Sequence, residues 1–336
     1  MDNRDIVQKS YQSFLKQYLQ KQDEQMLYKG QELSRRAIEQ NISPEEIVNY
    51  HVSMLKETYP DLPKEVLVSF DFLLEVMISY GFAYREHQSL RHRQLELKTE
   101  MEVAANMQTT LLQTDIPSVP EMQIGALSVP ARQMNGDYHH FTCDENNCLG
   151  VAIADVIGKG MPAALCMSMI KYSMDSLPET RMQPSAVLES LNRVVERNVD
   201  PSMFVTMLYG IYDTRVHSFF FSSAGHEPGF FYEAKKDRFA EISTKGVVLG
   251  VTRQASFEEY QLDVAPGDMI VLLSDGVTEC RAGDEFVERE YIVDLIRKYM
   301  HLSPQEIVES VYDELMRLQG FELRDDFTLI ILQRDV

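Results

Sequence analysis

The chain has 336 residues, 44% of them hydrophobic and 25% charged, with 52 acidic against 32 basic side chains for a net charge of −20. These are globular proportions, so wholesale disorder and a low-complexity scaffold are disfavoured, and the length predicts two domains. The acidic excess argues against nucleic acid or an anionic membrane surface as a partner.

No uninterrupted apolar run approaches the ~18 residues that span a bilayer, and the start MDNRDIVQKS lacks the apolar core of a signal peptide. A cytoplasmic protein is expected. Cys143, Cys148, Cys166 and Cys280 form no CxxC pattern and read as reduced structural thiols.

Residues 1–118 hold only Gly30 and Gly81 of the sixteen glycines, so the chain changes character near Pro117. The first part reads as helices, because apolar residues recur at spacings of three and four, as in Tyr11, Phe14, Leu15, Tyr18 and Leu19. Ser43-Pro44-Glu45-Glu46 is a helix start, with Ser as cap and Pro in the first turn. Another helix is expected after Pro63, giving four before about Tyr84. This front part, 1–84, is assigned as an all-α bundle serving regulation or dimerisation.

A charged stretch without Gly or Pro, 85–118 in its domain bounds, follows as a helical linker up to about Leu112. Leu90, Leu97, Ala104 and Leu111 fall seven apart, a heptad seam, while the companion positions His87, Gln94, Met101 and Gln108 are mostly polar. The stretch is either a solvated connecting helix or a marginal coiled coil whose pairing a partner changes, with Gln94, Met101 and Gln108 as candidate switch positions.

Beyond residue 119 the period becomes that of strands: QIGALSV, CLGVAIADV, MFVTMLYGIY, HSFFFSS, MIVLLSD and FTLIIL are short apolar runs bounded by turn residues. Helices are expected near 161–177, 184–198, 287–300 and 304–318. Strand runs with clustered helices predict an α+β sandwich for 119–336, sheets covered by helices, rather than a βαβ alternation.

Four aspartate sites fall where an apolar run meets a turn: Asn135-Gly136-Asp137, Ala154-Asp155-Val156, Ser274-Asp275-Gly276 and Arg324-Asp325-Asp326-Phe327. One aspartate after a strand is ordinarily a turn former bonding its own backbone. If the strands converge, however, these carboxylates repel unless a cation neutralises them, and an all-oxygen donor set suits Mg²⁺ or Mn²⁺. Two such ions clamp a phosphoryl group and activate water for in-line attack.

The segments AANMQTTLL, VPARQMNGDYHHF, VAIADVIGKGMPAAL, FVTMLYGIYD, SSAGHEPGF, VLLSDGVTEC and RDDFTLIIL, in this order over about 105–334, resemble the metal-dependent serine/threonine protein phosphatases of the type 2C (PPM) superfamily, in their bacterial sporulation and stress-response (SpoIIE-like) branch. The resemblance implies a central β-sandwich flanked by helices, with two Mn²⁺ (or Mg²⁺) ions at its edge. It implies Asp137, Asp155, Asp275 and Asp325 as catalytic metal ligands, the Val156 carbonyl as a further ligand, and Asp326 where relatives carry Asn or Asp; Asp325 is preferred to Asp326 as the direct ligand. It also implies a front domain that dimerises and binds a kinase-like, RsbT-like activator, and a phosphoserine anti-anti-sigma protein (RsbV-like) as substrate in the general stress response. On this view the activator rigidifies the linker and brings two phosphatase domains together.

The sequence departs from the family at His140, where a second acid is frequent. His139 and His140 are candidate proton donors to the leaving oxygen or else structural histidines. Arg132 and Lys159 are candidate contacts for substrate phosphate or else solvated cations. Gly158-Lys159-Gly160 lacks the GxxxxGK[ST] spacing of a nucleotide loop, and its glycines are expected to permit the turn into the next helix. His226, in Ser223-Ala224-Gly225-His226-Glu227-Pro228, is expected to hold a loop. The rival readings are a catalytically inactive binding module of the same fold and a metal-dependent phosphodiesterase or nuclease.

Overall fold

In the computed structural model, which describes residues 3–144, 147–158, 160–177, 182–200, 202–242, 244–282 and 285–335, the chain groups into two compact units, Met1–Glu100 and Met101–Val336. The first contains helices α1 (Asn3–Lys21), α2 (Glu24–Glu39), α3 (Pro44–Thr58) and most of α4 (Lys64–Leu112). Helix α3 starts as its sequence dictates: Ser43 caps it, Pro44 fills the first turn, and the Glu46 carboxylate accepts the Ser43 amide at 2.9 Å. Val7, Leu33, Ala37 and Ile42 form the small core of this unit, flanked by Tyr11, Phe14, Ile47 and Tyr50.

Helix α4 does not stop near Tyr84 but runs 49 residues without interruption. It carries an 18-residue window of mean hydropathy 1.7, of which 6% is buried, so by length and composition it is long and apolar enough to cross a membrane. The expectation from uninterrupted runs did not reveal this, because Asp71 and Glu75 break the apolar stretch 66–83. Val68, Phe72, Val76 and Tyr80, four apart, leave an exposed apolar stripe along it.

The second unit is a sandwich of two five-stranded antiparallel sheets. Its elements in chain order are β1 (Met122–Val129), β2 (Asp137–Cys143), β3 (Leu149–Val156), α5 (Met161–Asp175), α6 (Pro184–Asn198), β4 (Val205–Asp213), β5 (Ser218–Ala224), β6 (Gly229–Glu233), β7 (Arg238–Ile242), β8 (Tyr260–Asp263), β9 (Met269–Leu273), α7 (Asp275–Thr278), β10 (Arg281–Ala282), β11 (Glu285–Phe286), α8 (Arg289–Tyr299), α9 (Pro304–Leu318) and β12 (Phe327–Arg334). One sheet has the order β1-β12-β9-β6-β7 and the other β2-β3-β4-β5-β8; β10 and β11 make a small separate hairpin.

Each sheet is apolar on both faces, which is why its central strands read as continuous apolar runs rather than alternating ones. Leu149, Val151 and Ile153 of β3 meet Ile270 and Leu272 of β9 and Ile330 and Leu332 of β12 between the sheets. The intervening residues Ala152, Ala154 and Val156 face outward against Met167 and Ile170 of α5 and Leu188 and Leu191 of α6. On the other side, Val271, Leu329 and Ile331 pack on Ile292 and Ile296 of α8 and Ile307 and Val311 of α9. The unit therefore has four layers, α-β-β-α, and the expected α+β sandwich is what forms.

This pleat also places the acids. With side chains alternating along β3, Asp155 continues the row Leu149-Val151-Ile153 that lines the inter-sheet core, one step past the last apolar residue and at its rim.

Candidate active site

Asp137 opens β2 and lies directly across from Asp155 in the β2–β3 register, so two carboxylates share one end of the sheet. From the opposing sheet, Asp275 follows the end of β9 and starts α7, while Asp325 and Asp326 precede β12. Asp155, Asp275, Asp325 and Asp326 line one cleft of about 160 Å³, together with Arg132, Val156, Gly136, Gly158, Gly160 and Arg324. Four segments distant in sequence thus bring their acids to a single sandwich edge.

Asp137 is the deepest of them. It is 2% exposed, its Oδ2 accepts the Thr328 hydroxyl at 2.7 Å, and its Oδ1 is buried without a hydrogen-bond partner. Burial, with Asp155 and Asp326 adding repulsion, raises its pKa well above the usual carboxylate range. Burial and the neighbouring Asp325 likewise push Asp275 up to about 6. Among the described residues no three His, Cys, Asp or Glu donors converge closely enough to hold an ion as they stand. The acids crowd and repel one another, and an orphaned buried carboxylate oxygen in an all-oxygen donor set fits a hard divalent cation.

The two adjacent aspartates differ in what they bind. Asp326 is occupied by backbone: Oδ1 accepts the Ala131 amide at 2.7 Å and Oδ2 accepts the Gly136 amide. It ties the 131–136 loop to the start of β12. Asp325 accepts the Asp326 amide at 3.0 Å and raises the pKa of Asp275, while Asp326 acts in the same way on Asp137. Close approach here requires glycine, because a Cβ on Gly276 would lie 2.0 Å from the Asp326 carbonyl oxygen. Gly160, at φ +77, caps α5 and makes the expected turn from β3 into that helix.

Gln108 behaves unlike a seam residue. It is buried, and its side-chain amide donates to the Asn135 carbonyl at 2.7 Å while accepting the Asn135 N–H at 3.1 Å. Asn135 in turn accepts the Asp137 amide at 2.9 Å. The last turns of α4, where Ala105 packs on Met134 and Ala164, therefore hold the loop that leads into Asp137. Gln94 and Met101, by contrast, are exposed on α4. Heptad spacing pointed to Gln108, but only the fold reveals its partner.

His226 is buried with its Nδ1 3.0 Å from the Thr206 hydroxyl, and Thr206 pairs with Asp155 across β3–β4. Burial lowers its pKa to about 4, opposed by the Leu273 backbone, so the imidazole is a neutral strut against β4, the strand paired with the one that carries Asp155.

Residues 145–335 match the family model described as Stage II sporulation protein E (SpoIIE), and residues 9–83 match that of the phosphoserine phosphatase RsbU N-terminal domain. Over all 336 residues, covering 100% of both chains, the sequence is 53% identical to phosphoserine phosphatase RsbU of Bacillus subtilis (strain 168). The chain belongs to the RsbU family of PP2C-type serine phosphatases. The PP2C fold is shared with the SiaA-PP2C domain of Pseudomonas aeruginosa, at TM-score 0.62 and 19% identity over 72% of this chain and 99% of that one. It is shared also with the RsbU and RsbW domains of Rv1364c from Mycobacterium tuberculosis, at TM-score 0.57 and 24% identity over 67% of this chain and 62% of that one.

The remaining expected residues of this RsbU-family chain divide plainly. Arg132 is exposed and lines the cleft. Lys159 lies outside the described residues. His139 and His140 do not line the cleft: burial lowers the pKa of both, His139 to about 4, and His140 Nε2 lies 3.6 Å from Asp175 of α5. They are structural histidines of β2 rather than proton donors at the cleft.

Proposed function

We propose that this chain is a metal-dependent phosphoserine-protein phosphatase whose reaction takes place in the cleft of Asp155, Asp275 and Asp325, with Asp137 behind it. One observation carries the reading: acids from four separate segments meet at one sandwich edge, close enough to raise one another's pKa. Asp137, Asp155, Asp275 and Asp325 hold two Mn²⁺ (or Mg²⁺) ions with the Val156 carbonyl, and Asp326 fixes the loop around them. When bound, the ions polarise the phosphoryl oxygens and activate the attacking water. Arg132, free of any ion pair among the described residues, orients the phosphate by its bidentate fork. Asp326 keeps Arg132 at the cleft by holding the neighbouring Ala131 amide.

The substrate is a phosphorylated RsbV-like anti-anti-sigma protein, and residues 1–84 bind an RsbT-like activator, with 85–118 as linker and 119–336 as catalytic domain. Full-length likeness to RsbU, front domain included, supports this assignment. The enzyme acts in the cytoplasm as a homodimer, and the exposed apolar stripe of α4 supports pairing of two copies. The inactive-module reading is disfavoured because every principal carboxylate is present.

Phosphate release from phosphorylated RsbV-like protein, with and without the activator across a Mn²⁺ titration, tests the assignment. The expected result is release that requires Mn²⁺, rises with activator and disappears in Asp275→Ala. Release unaffected by chelator and by Asp275→Ala would overturn it, and cleavage of a nucleic-acid substrate instead would favour the nuclease reading.

A further inference from the structure

Two arginines, Arg132 and Arg324, line the acid cleft from neighbouring segments, one following β1 and the other preceding its paired strand β12, and both are exposed. Several arginines of this unit are neutralised locally: Arg215, Arg253, Arg289 and Arg297 form ion pairs with Asp213, Glu196, Glu227 and Asp237. Neither cleft arginine has an ion pair among the described residues, although Arg324 adjoins Asp325 in a chain with 52 acids. Their guanidinium groups are left for something that enters the cleft.

The backbones bearing these arginines are also held together. Asp326, two residues after Arg324, accepts the amides of Ala131 and Gly136, the residues that bracket the Arg132 segment. One carboxylate therefore fixes the two backbone segments that carry these cationic side chains next to one another at the cleft. A seryl phosphate near neutral pH carries about −1.5 to −2 charges and three acceptor oxygens, more than one guanidinium fork satisfies.

We propose that Arg324 is a second substrate-binding residue of this site, gripping the phosphoryl oxygens of the phosphoserine ester alongside Arg132. The assignment rests on the phosphatase reading above and extends it to a residue not among its expected contacts. Arginine is suited to the position because its planar fork binds two phosphoryl oxygens while its charge persists at any working pH.

The test uses the full chain at saturating Mn²⁺, a phosphoserine peptide with uncharged flanks as substrate, and inorganic phosphate as competing probe. Arg324→Ala is expected to raise KM about tenfold, the loss of one charge-assisted contact at an exposed site, with kcat changed less than about twofold. The inhibition constant of inorganic phosphate should rise by the same factor, and Arg324→Lys should recover part of both. Unchanged KM and unchanged phosphate inhibition would overturn the proposal. So would a KM increase confined to peptides with acidic flanks, which would make Arg324 a reader of neighbouring carboxylates. A raised Mn²⁺ requirement with unaltered phosphate inhibition would likewise overturn it, by moving the effect to the metal ligands. Melting curves identify a variant that misfolds, in which case Arg324→Gln and Arg324→Lys carry the comparison. If the unaltered chain released no phosphate with Mn²⁺, the phosphatase reading would fail on its own; calorimetric binding of inorganic phosphate to the unaltered and Arg324→Ala chains would still decide the role of Arg324.

Discussion

Replacing Gln108 with Leu separates two accounts of the long helix. If Gln108 were a polar position weakening a helix–helix seam, Leu would strengthen pairing and raise activity without an activator. Its surroundings predict the opposite. Gln108 is 4% exposed and makes two hydrogen bonds to the backbone of Asn135, at 2.7 and 3.1 Å. Leucine of similar size fills the space but abandons both the N–H and the C=O of Asn135, at a cost of about 1 kcal/mol for each lost bond and about 2 kcal/mol together. For a unit of this size that lowers the melting temperature by roughly 4–8 °C. Because Asn135 positions the Asp137 amide, the Mn²⁺ concentration for half-maximal phosphate release should also rise. Calorimetric melting of the full chain with a Mn²⁺ titration of phosphoserine hydrolysis reads both quantities. A melting temperature and metal requirement equal to those of the unaltered chain, or activity gained without activator, would refute the reasoning.

Other outcomes follow from the same geometry. Asp137→Asn keeps an acceptor for the Thr328 hydroxyl and removes a buried charge, so phosphate release should be lost while the melting temperature in chelator stays equal or rises; a large drop in stability would contradict this. Asp275 has a folded pKa of about 6, above its unfolded value near 3.8, so the folded state binds the extra proton between those values. Metal-free protein should therefore lose stability as pH rises from about 4 to 6, and Asp275→Asn should flatten that slope in melting curves recorded in chelator. Saturating Mn²⁺ should weaken or reverse the same slope. His226→Ala removes a buried imidazole and leaves the Thr206 hydroxyl only its longer bond to the Asp155 carbonyl, which should cost about 2–4 kcal/mol in urea unfolding; a change below about 0.5 kcal/mol would show that the strut is dispensable.

The acids of the site were legible because each ends a strongly apolar strand, and a strand buried on both faces announces its own rim: Ile153, Ala154, Asp155 is a core row meeting solvent. Motif order supplied what spacing did not, namely that strands from opposite sheets end at the same edge. The strands missed by periodicity were β2, β6, β7, β8 and the two-residue strands β10 and β11. DYHHFTC carries buried histidine and aspartate that break an apolar pattern, and YQLD is a short edge strand whose alternate residues are exposed. Gln108 shows the limit of a heptad argument. A glutamine at a seam position and a glutamine clamping a loop look alike until the loop is located. Arg324 was passed over for a similar reason, because a basic residue beside two acids reads as locally paired.

The β2–β3 register has a bearing on how such chains diverge. Asp137 faces Asp155 through an unbroken ladder that ends at Cys143 and Leu149. Deleting or adding a single residue within either strand would turn one of the two acids to the opposite surface of the sheet and bring an apolar neighbour to the cleft. Length changes are therefore tolerable only beyond Cys143, at the far hairpin, and homologous chains that still hydrolyse phosphoserine should show their insertions and deletions gathered there, with none in the seven rungs between.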